Sequence, residues 1–447
     1  MKRHLLTGWG STAPTAADVV RPITADELAK ATPAAPARGA IARGLGRAYG
    51  DAAQNAGGVV VDCTSVRGVL DFDVETGEAR VLGGTSFDEL MRLLVPRGWF
   101  VPVTPGTRFV TVGGAIASDV HGKNHHMDGA IGSHVRRLTL ALTDGSTREL
   151  DPVTTPDEFW ATCGGMGLTG VIVEATIAMK RIETSRLLVD TDRIDDLDEL
   201  LRRLRADQET YRYSVAWIDP MARGRHLGRS ILGQGDFAPA SALPPGADPL
   251  AFTPHTALVV PPLPVSAINH LTTRAFNELW FRKAPRRRQD ELQTIAGFFH
   301  PLDMALRWNR VYGPRGFVQW QCQLPFGAED VLRRGIEALA TMQVPSFLAV
   351  LKTFGAADPA PLSFPAPGWT LALDLPAGSP DIARLLDRLD EDVLAAGGRQ
   401  YLAKESRIRP EHVAAMYPRL DEWRAVRDRL DPERRLQSDL ARRLHLL

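Results

Sequence analysis

Cysteine is scarce in this 447-residue chain: Cys63, Cys163 and Cys322 stand far apart and form no Cys-x-x-Cys pair. An odd count without that spacing argues against a disulfide framework or a thiolate zinc site, and leaves three reduced, buried thiols. No apolar run approaches the roughly 18 residues that a membrane-spanning helix needs. The opening MKRHLLTGWGSTAP lacks the apolar core, about 7–15 residues long, of an export signal. Net charge is missing too. Lys and Arg total 53 and Asp and Glu total 53, so no global field points to nucleic acid. Neither standard phosphate fingerprint is present. There is no GxxxxGK[ST], and the nearest approach to GxGxxG is Gly44, Gly46 and Gly50, which open no long amphipathic helix. His121, His125 and His126 are joined by no acidic or cysteine ligand at metal-site spacing, so no metal is expected.

Glycine and proline are plentiful, at 39 and 32, which implies many turns. The length calls for more than one core. Strands are predicted at 58–63 (GVVVDC), 79–82, 135–142 and 170–177 (GVIVEATI), around an amphipathic helix at 87–95 with Ser86 as its N-cap. A Pro/Ala linker occupies 31–39. Further on, single strands alternate with helices: 195–205, 213–218, 316–326, 328–341, 346–354, 369–375 and 381–396. That alternation predicts one sheet covered by helices, an α+β domain. Residues 233–290, with their Pro, Gly and Ala clusters and the Arg286-Arg287-Arg288 run, read as one long irregular loop, mobile over the site. The expected division is 1–183, 184–405 and a segment 406–447 that returns to the first domain.

Three stretches are too glycine-rich for ordinary connections: 42–51 (ARGLGRAYGD), 105–122 (PGTRFVTVGGAIASDVHG) and 163–170 (CGGMGLTG). Glycine lets backbone N–H groups close around a pyrophosphate. Taken in order, the three resemble the FAD domain (PCMH-type) of the vanillyl-alcohol-oxidase superfamily. There the first loop wraps the pyrophosphate, the second runs along the flavin and the third closes over the adenine side. Many sugar oxidases of that superfamily attach FAD to a histidine in the first loop. Arg47-Ala48-Tyr49 stands here instead, so the resemblance implies non-covalent FAD.

The strings RGLGRAYGDAAQN, ASDVHGKNHH, YLAKESR and MYPRLDEW narrow the likeness. Over nearly the whole chain it resembles the flavoprotein subunits of the decaprenylphosphoryl-β-D-ribose 2′-epimerase family. Such subunits oxidise the ribose 2′-hydroxyl of a polyprenyl-phosphate sugar, and a partner NAD-dependent reductase of the short-chain-dehydrogenase type completes the inversion to arabinose for cell-wall arabinan. The resemblance implies peripheral contact with the cytoplasmic or periplasmic face of the plasma membrane. It assigns FAD to Arg43, Gly44, Leu45, Gly46, Arg47, Ala48, Tyr49, Gly50 and Asp51, and to Gly106, Thr111, Val112, Gly113 and Gly114. Ser118, Asp119, Val120, His121, Val173 and Tyr401 complete that set. Lys404 and His121 would be catalytic; Gln321, Lys352, Trp217, Tyr49 and Ala372 would line the substrate.

The residue types suit that chemistry. Removing a hydride from an alcohol carbon calls for a base at the hydroxyl, and a buried lysine can be neutral enough to act as one. Lys352 is an alternative holder of the substrate phosphate. Gln321 and Lys352 sit inside apolar strands, where a polar group needs a partner. One departure stands out. Family members carry a cysteine in a Gly-Trp-x-x-Cys stretch, the target of covalent nitroaromatic inhibitors, and this chain has Gly368 to Ala372 there. The rival reading is an FAD-dependent sugar, alditol or aldonolactone oxidase using oxygen. The missing histidine and the missing His-Trp-Gly-Lys type string speak against it.

Overall fold

The computed structural model describes residues 2–32, 37–404 and 406–447, and three main sheets organise the chain. The centre of the expected Pro/Ala linker and Glu405, the last residue of the expected second domain, lie outside the described residues. The first sheet runs in the order Lys2–Leu6, Thr15–Val20, Val59–Asp62, Ala40–Arg43, its last three strands parallel. In Val59–Asp62 the three valines Val59, Val60 and Val61 are all buried, as a strand covered on both faces requires, and Asp62 ends the run.

The second sheet is antiparallel, in the order Val69–Phe72, Glu78–Leu82, Val171–Ala178, Val135–Ala141, Thr147–Leu150. Beside it lies the helix Phe87–Leu94. Ser86 Oγ accepts from the Glu89 N–H while Glu89 Oε2 accepts from the Ser86 N–H, a reciprocal cap. Phe87, Leu90, Met91 and Leu94 fall on one face and are buried.

The third sheet has eight antiparallel strands, in the order Arg287–Thr294, Arg186–Ile194, Ser230–Phe237, Tyr213–Ile218, Ala349–Phe354, Gly368–Pro376, Phe317–Leu324, Arg399–Gln400. Successive side chains take opposite faces. Trp320, Cys322, Leu324 and Leu371 pack against Leu332 and Leu339 of the helix Glu329–Met342 and Leu389 of the helix Pro380–Ala395. Gln319, Gln321 and Gln323 face the other way, as do Thr370, Ala372 and Asp374. The helix-covered α+β sheet of the sequence reading is thus present, with its polar face turned towards the first half of the chain.

The last segment folds back. Trp423 Nε1 donates to Ala161 O at 3.0 Å, Thr143 Oγ1 donates to Asp431 at 2.9 Å, and the Ala40 N–H donates to Arg435 O at 2.8 Å.

The stretch 233–290 is not one irregular loop. It starts inside the strand Ser230–Phe237, contains the 14-residue helix His270–Lys283, and ends in the strand Arg287–Thr294, which takes in two of the three consecutive arginines. The helix lacks the continuous apolar stripe that sequence periodicity detects, because leucine and tryptophan lie on its outward side. The strand Arg186–Ile194 was also missed. Its Asp190, Asp192 and Arg193 read as loop, yet Leu187 and Val189 alternate inwards and Asp192 is satisfied by Arg203 at 2.7 Å.

Candidate functional site

The strand Ala40–Arg43 runs straight into the first glycine-rich loop. Gly46 has φ 66°, and a Cβ on Gly44 would stand 2.2 Å from Thr111 Oγ1, so this loop and the second are pressed together. The N–H groups of Leu45, Gly46, Arg47 and Ala48 donate to no acceptor among the described residues. Four successive free donors form an anion cradle, and this is the observation that fits a pyrophosphate. The loop is held from behind. Ala48 O accepts from the Trp9 N–H at 2.8 Å, Tyr49 O from the Gly10 N–H at 3.1 Å, and the Tyr49 N–H donates to Ala403 O at 3.0 Å. Arg43 spends its guanidinium on Ala53 O and Thr7 O; Asp51 pairs with Arg443 at 2.7 Å; Gly50 O is packed against Gly8. These three shape the loop. Arg47 lies over the Trp9 ring at 3.9 Å with its buried Nε unpartnered.

The second loop leads into the short helix Val112–Ala117, capped by Thr111 through the Gly114 N–H. The Gly113 N–H donates to Gly83 O, and the Gly83 N–H donates to Val173 O at 2.7 Å. The Gly83-Gly84 turn is therefore part of the cradle, and a Cβ on Gly83 would stand 2.2 Å from Ile172 O. The sequence reading missed it, although two adjacent glycines ahead of a capped helix were a legible signal. Gly106 is open, with no atom within 4 Å of an added Cβ. Asp119 takes a left-handed φ of 40° and is buried, accepting from the Gly132 N–H and the Ser363 hydroxyl; burial pushes its carboxyl well up. Val120 O accepts from the Ile131 N–H, and Ser118 O accepts from the Tyr401 hydroxyl at 2.7 Å. The third loop clasps the same short helix, the Gly164 and Met166 N–H groups donating to Ile116 O and Ala117 O.

Beyond the second loop, His121 meets the polar face of the large sheet. Lys352 Nζ lies 3.0 Å from His121 Nδ1 and donates to Gly122 O at 2.9 Å. The Gln321 amide lies 3.1 Å from His121 Nε2 and 3.1 Å from Thr370 Oγ1. The His121 ring packs against Phe354, Phe364 and Tyr401 at 4.8, 5.7 and 5.4 Å. Burial, with Lys352 next in weight, drives the His121 pKa well below its usual value, so the imidazole is neutral. Burial also pulls Lys352 down to about 7.

On the other flank, Lys404 Nζ sits 4.0 Å above the centre of the Tyr49 ring. It keeps some solvent contact, yet the surrounding protein lowers its pKa to about 8, with Asp374 opposing that fall. Asp374 is buried and bonded to the Gln319 amide, its other oxygen is unpartnered, and burial raises it to about 7. Tyr401 joins the two flanks: its ring lies 5.4 Å from His121, its N–H donates to Gln321 O at 3.2 Å, and its carbonyl accepts from the Lys404 N–H at 2.9 Å.

The structure brings together Tyr49, His121, Gln321, Lys352, Tyr401 and Lys404. Ala372 pairs with Gln321 and Val350 across the ladders, on the same face as Thr370 and Asp374. Trp217 pairs with Val350 and donates from Nε1 to Phe347 O at 2.9 Å. Strand alternation over 369–375 puts Thr370 and Asp374 on the face of Ala372, the small polar wall expected of a substrate cavity, and Gln319 joins them without having been assigned. Its signal was the polar alternation along Phe317–Leu324. Lys123 is a further addition: it lies over Phe298 at 4.2 Å and is lowered by burial to about 7.

Residues 16–151 match a family model described as an FAD binding domain, and residues 376–444 match one described as D-arabinono-1,4-lactone oxidase. A decaprenylphosphoryl-β-D-ribose oxidase from Mycolicibacterium smegmatis is 43% identical across 99% of this chain and 97% of its own length. An uncharacterised protein in the mprA 5′ region of Streptomyces coelicolor is 42% identical over 80% of this chain and 99% of its own. An alditol oxidase from a Streptomyces species is 29% identical, but over only 39% of this chain and 42% of its own.

Proposed function

The chain belongs to the decaprenylphosphoryl-β-D-ribose oxidase family and is an FAD-dependent oxidoreductase acting on CH–OH, and on that premise we propose that it oxidises the 2′-hydroxyl of a polyprenylphosphoryl ribose to the ketone. The observation that carries this reading is the cleft between the glycine cradle and the polar face of the large sheet. It collects Lys404 over the Tyr49 ring, a neutral His121, and Lys352 at 3.0 Å from that imidazole, with the Lys404 pKa lowered to about 8.

The free N–H groups of Leu45 to Ala48 would hold the FAD pyrophosphate, with Gly106, Thr111 and the Gly83-Gly84 turn beside it. Bound FAD supplies the two-electron acceptor, and the protein supplies position and proton handling. Lys404 takes the hydroxyl proton as the C2′ hydride departs, its lowered pKa keeping a fraction neutral near physiological pH. His121, Gln321 and Thr370 orient the sugar through hydrogen bonds, and Lys352 holds the phosphate end as a point charge. Tyr49 walls the ring. The FAD is held without a covalent bond, because no first-loop residue offers an imidazole.

The ketone is a half-way product, so a partner reductase that returns hydride to the opposite face is part of this reading. A polyprenyl substrate also places the enzyme at a membrane surface, and no helix among the described residues is long and apolar enough to cross one. We divide the chain at about 183, ahead of the strand Arg186–Ile194 with which the large sheet begins in sequence, and at about 405, past its last strand Arg399–Gln400. The deciding experiment is anaerobic single-turnover mixing of the holoenzyme with a short-chain polyprenylphosphoryl ribose. Bleaching of the flavin with formation of the 2′-ketone is expected. No bleaching, alongside reduction by free alditols, would overturn the proposal.

A further inference from the structure

The helix His270–Lys283 is firmly attached on one side and unpartnered on the other. Thr273, Asn277 and Phe281 form its buried stripe. Asn277 Nδ2 donates to Asp219 Oδ1 at 2.8 Å, and Glu278 pairs with Arg229 at 2.7 Å. On the opposite side, two turns apart, Leu271 and Leu279 are 81% and 69% exposed. At the edge, Phe276 and Trp280 stack 5.9 Å apart and are 41% and 43% exposed. Val265, 71% exposed, extends this apolar surface just before the helix. Single exposed apolar residues are ordinary, but a contiguous set rimmed by polar groups marks an interaction surface.

The rim is basic. Arg274, Arg282 and Lys283 are exposed on the helix; Arg286 and Arg287 follow it but border Asp192, Asp195, Asp196 and Glu199, so the cations of the rim are those of the helix. The helix carries one acid, Glu278, already engaged by Arg229 and Arg282. Leucines outward, aromatic rings at the edge and cations around them match the boundary between acyl chains and anionic headgroups.

From this patch an aromatic wall leads inwards. Phe276 meets Phe347 at 5.8 Å, Phe347 meets Tyr312 at 6.0 Å, Tyr312 stacks on Phe317 at 4.3 Å, and Phe317 meets Tyr49 at 5.5 Å. Tyr49 is the ring under Lys404. Tyr312 and Phe317 are each 1% exposed, so these rings are packed core that ties the helix and its patch to the loop beside the cleft.

We infer that the outward face of His270–Lys283, centred on Leu271 and Leu279 with Phe276 and Trp280 at its edge, is the surface by which this protein docks on an anionic bilayer. The docking does not rest on the function proposed above. The test uses full-length holoenzyme, vesicles of phosphatidylglycerol and phosphatidylcholine, and vesicles of phosphatidylcholine alone. Wild type should sediment with the anionic vesicles, and L271D/L279D should lose that binding by about tenfold or more. The same variant should slow oxidation of vesicle-embedded polyprenylphosphoryl ribose while reducing its flavin with a short-chain soluble analogue within about twofold of wild type. L271N/L279N, milder in charge, should behave alike. Unchanged vesicle binding in both variants overturns the docking surface. So does a wild-type dimer that the variants dissociate without any change in vesicle binding, which assigns the face to a second copy. Failure of wild type to oxidise either substrate rejects the proposed function and leaves the vesicle result to judge the surface alone.

Discussion

Lys352 and His121 share one contact, Nζ to Nδ1 at 3.0 Å, and it fixes how the imidazole is used. The other ring nitrogen, Nε2, lies 3.1 Å from the Gln321 amide nitrogen, which also donates to Thr370 Oγ1 at 3.1 Å. The imidazole is thus pinned at both nitrogens, by Lys352 on one side and by Gln321 on the other. Lys352→Met should keep FAD bound but lose this order. With a charge-assisted contact removed, KM should rise roughly 10–100-fold, more than kcat falls. Steady-state kinetics on the lipid-linked sugar checks it, and an unchanged KM would remove Lys352 from the substrate.

Lys404 should give flavin reduction its pH dependence. The base is the neutral amine, and burial lowers its pKa to about 8. Neutral amine gains with rising pH, so the rate should climb below about 8 and level off above it. Lys404→Ala should bind FAD, reduce it about 10²–10⁴-fold more slowly and lose the climb. Stopped-flow reduction across that range is the measurement; near-normal rates in the variant would exclude Lys404 as the base.

Acid precipitation should release the yellow chromophore into the supernatant. Arg47, Ala48 and Tyr49 fill the first loop where an attachment histidine would stand. Colour retained in the pellet would show a covalent bond elsewhere.

Ala372 shares the polar face with Gln321, whereas Cys322, the residue next to Gln321, packs among Leu332, Leu339 and Leu389 on the helix side. Burial also raises the Cys322 thiol to about 12. An electrophile generated in the cleft thus meets no thiolate. Intact-mass analysis after turnover with a nitroaromatic inhibitor should show no adduct on this protein and one adduct on Ala372→Cys.

Much of this was legible because the signals were local. The Ser86 and Glu89 cap, the apolar run 59–61 and the alternation along Gly368–Pro376 each declare an element through neighbours in sequence. The large sheet was foreseeable in kind, but Arg186–Ile194 was hidden by acids whose partners lie on the helix Leu197–Ala206 and on the strand Arg287–Thr294. In the cleft, the glycine loops announced themselves. Alternation along its strand put Asp374 on the cavity face, but not the Gln319 side chain across the ladder that donates to it. The outward leucines of His270–Lys283 weakened the very periodicity that would have revealed the helix.

The pairing of Arg443 with Asp51, and of Ala40 with Arg435, sets the order of events on the ribosome. Domains usually form as they emerge, the N-terminal one first. Here the glycine loops are made some 390 residues before the arginines that clasp them. A nascent chain stalled before residue 430 carries the complete donor cradle without Arg435 and without Arg443. Such a chain should hold flavin less firmly than one in which both contacts have closed.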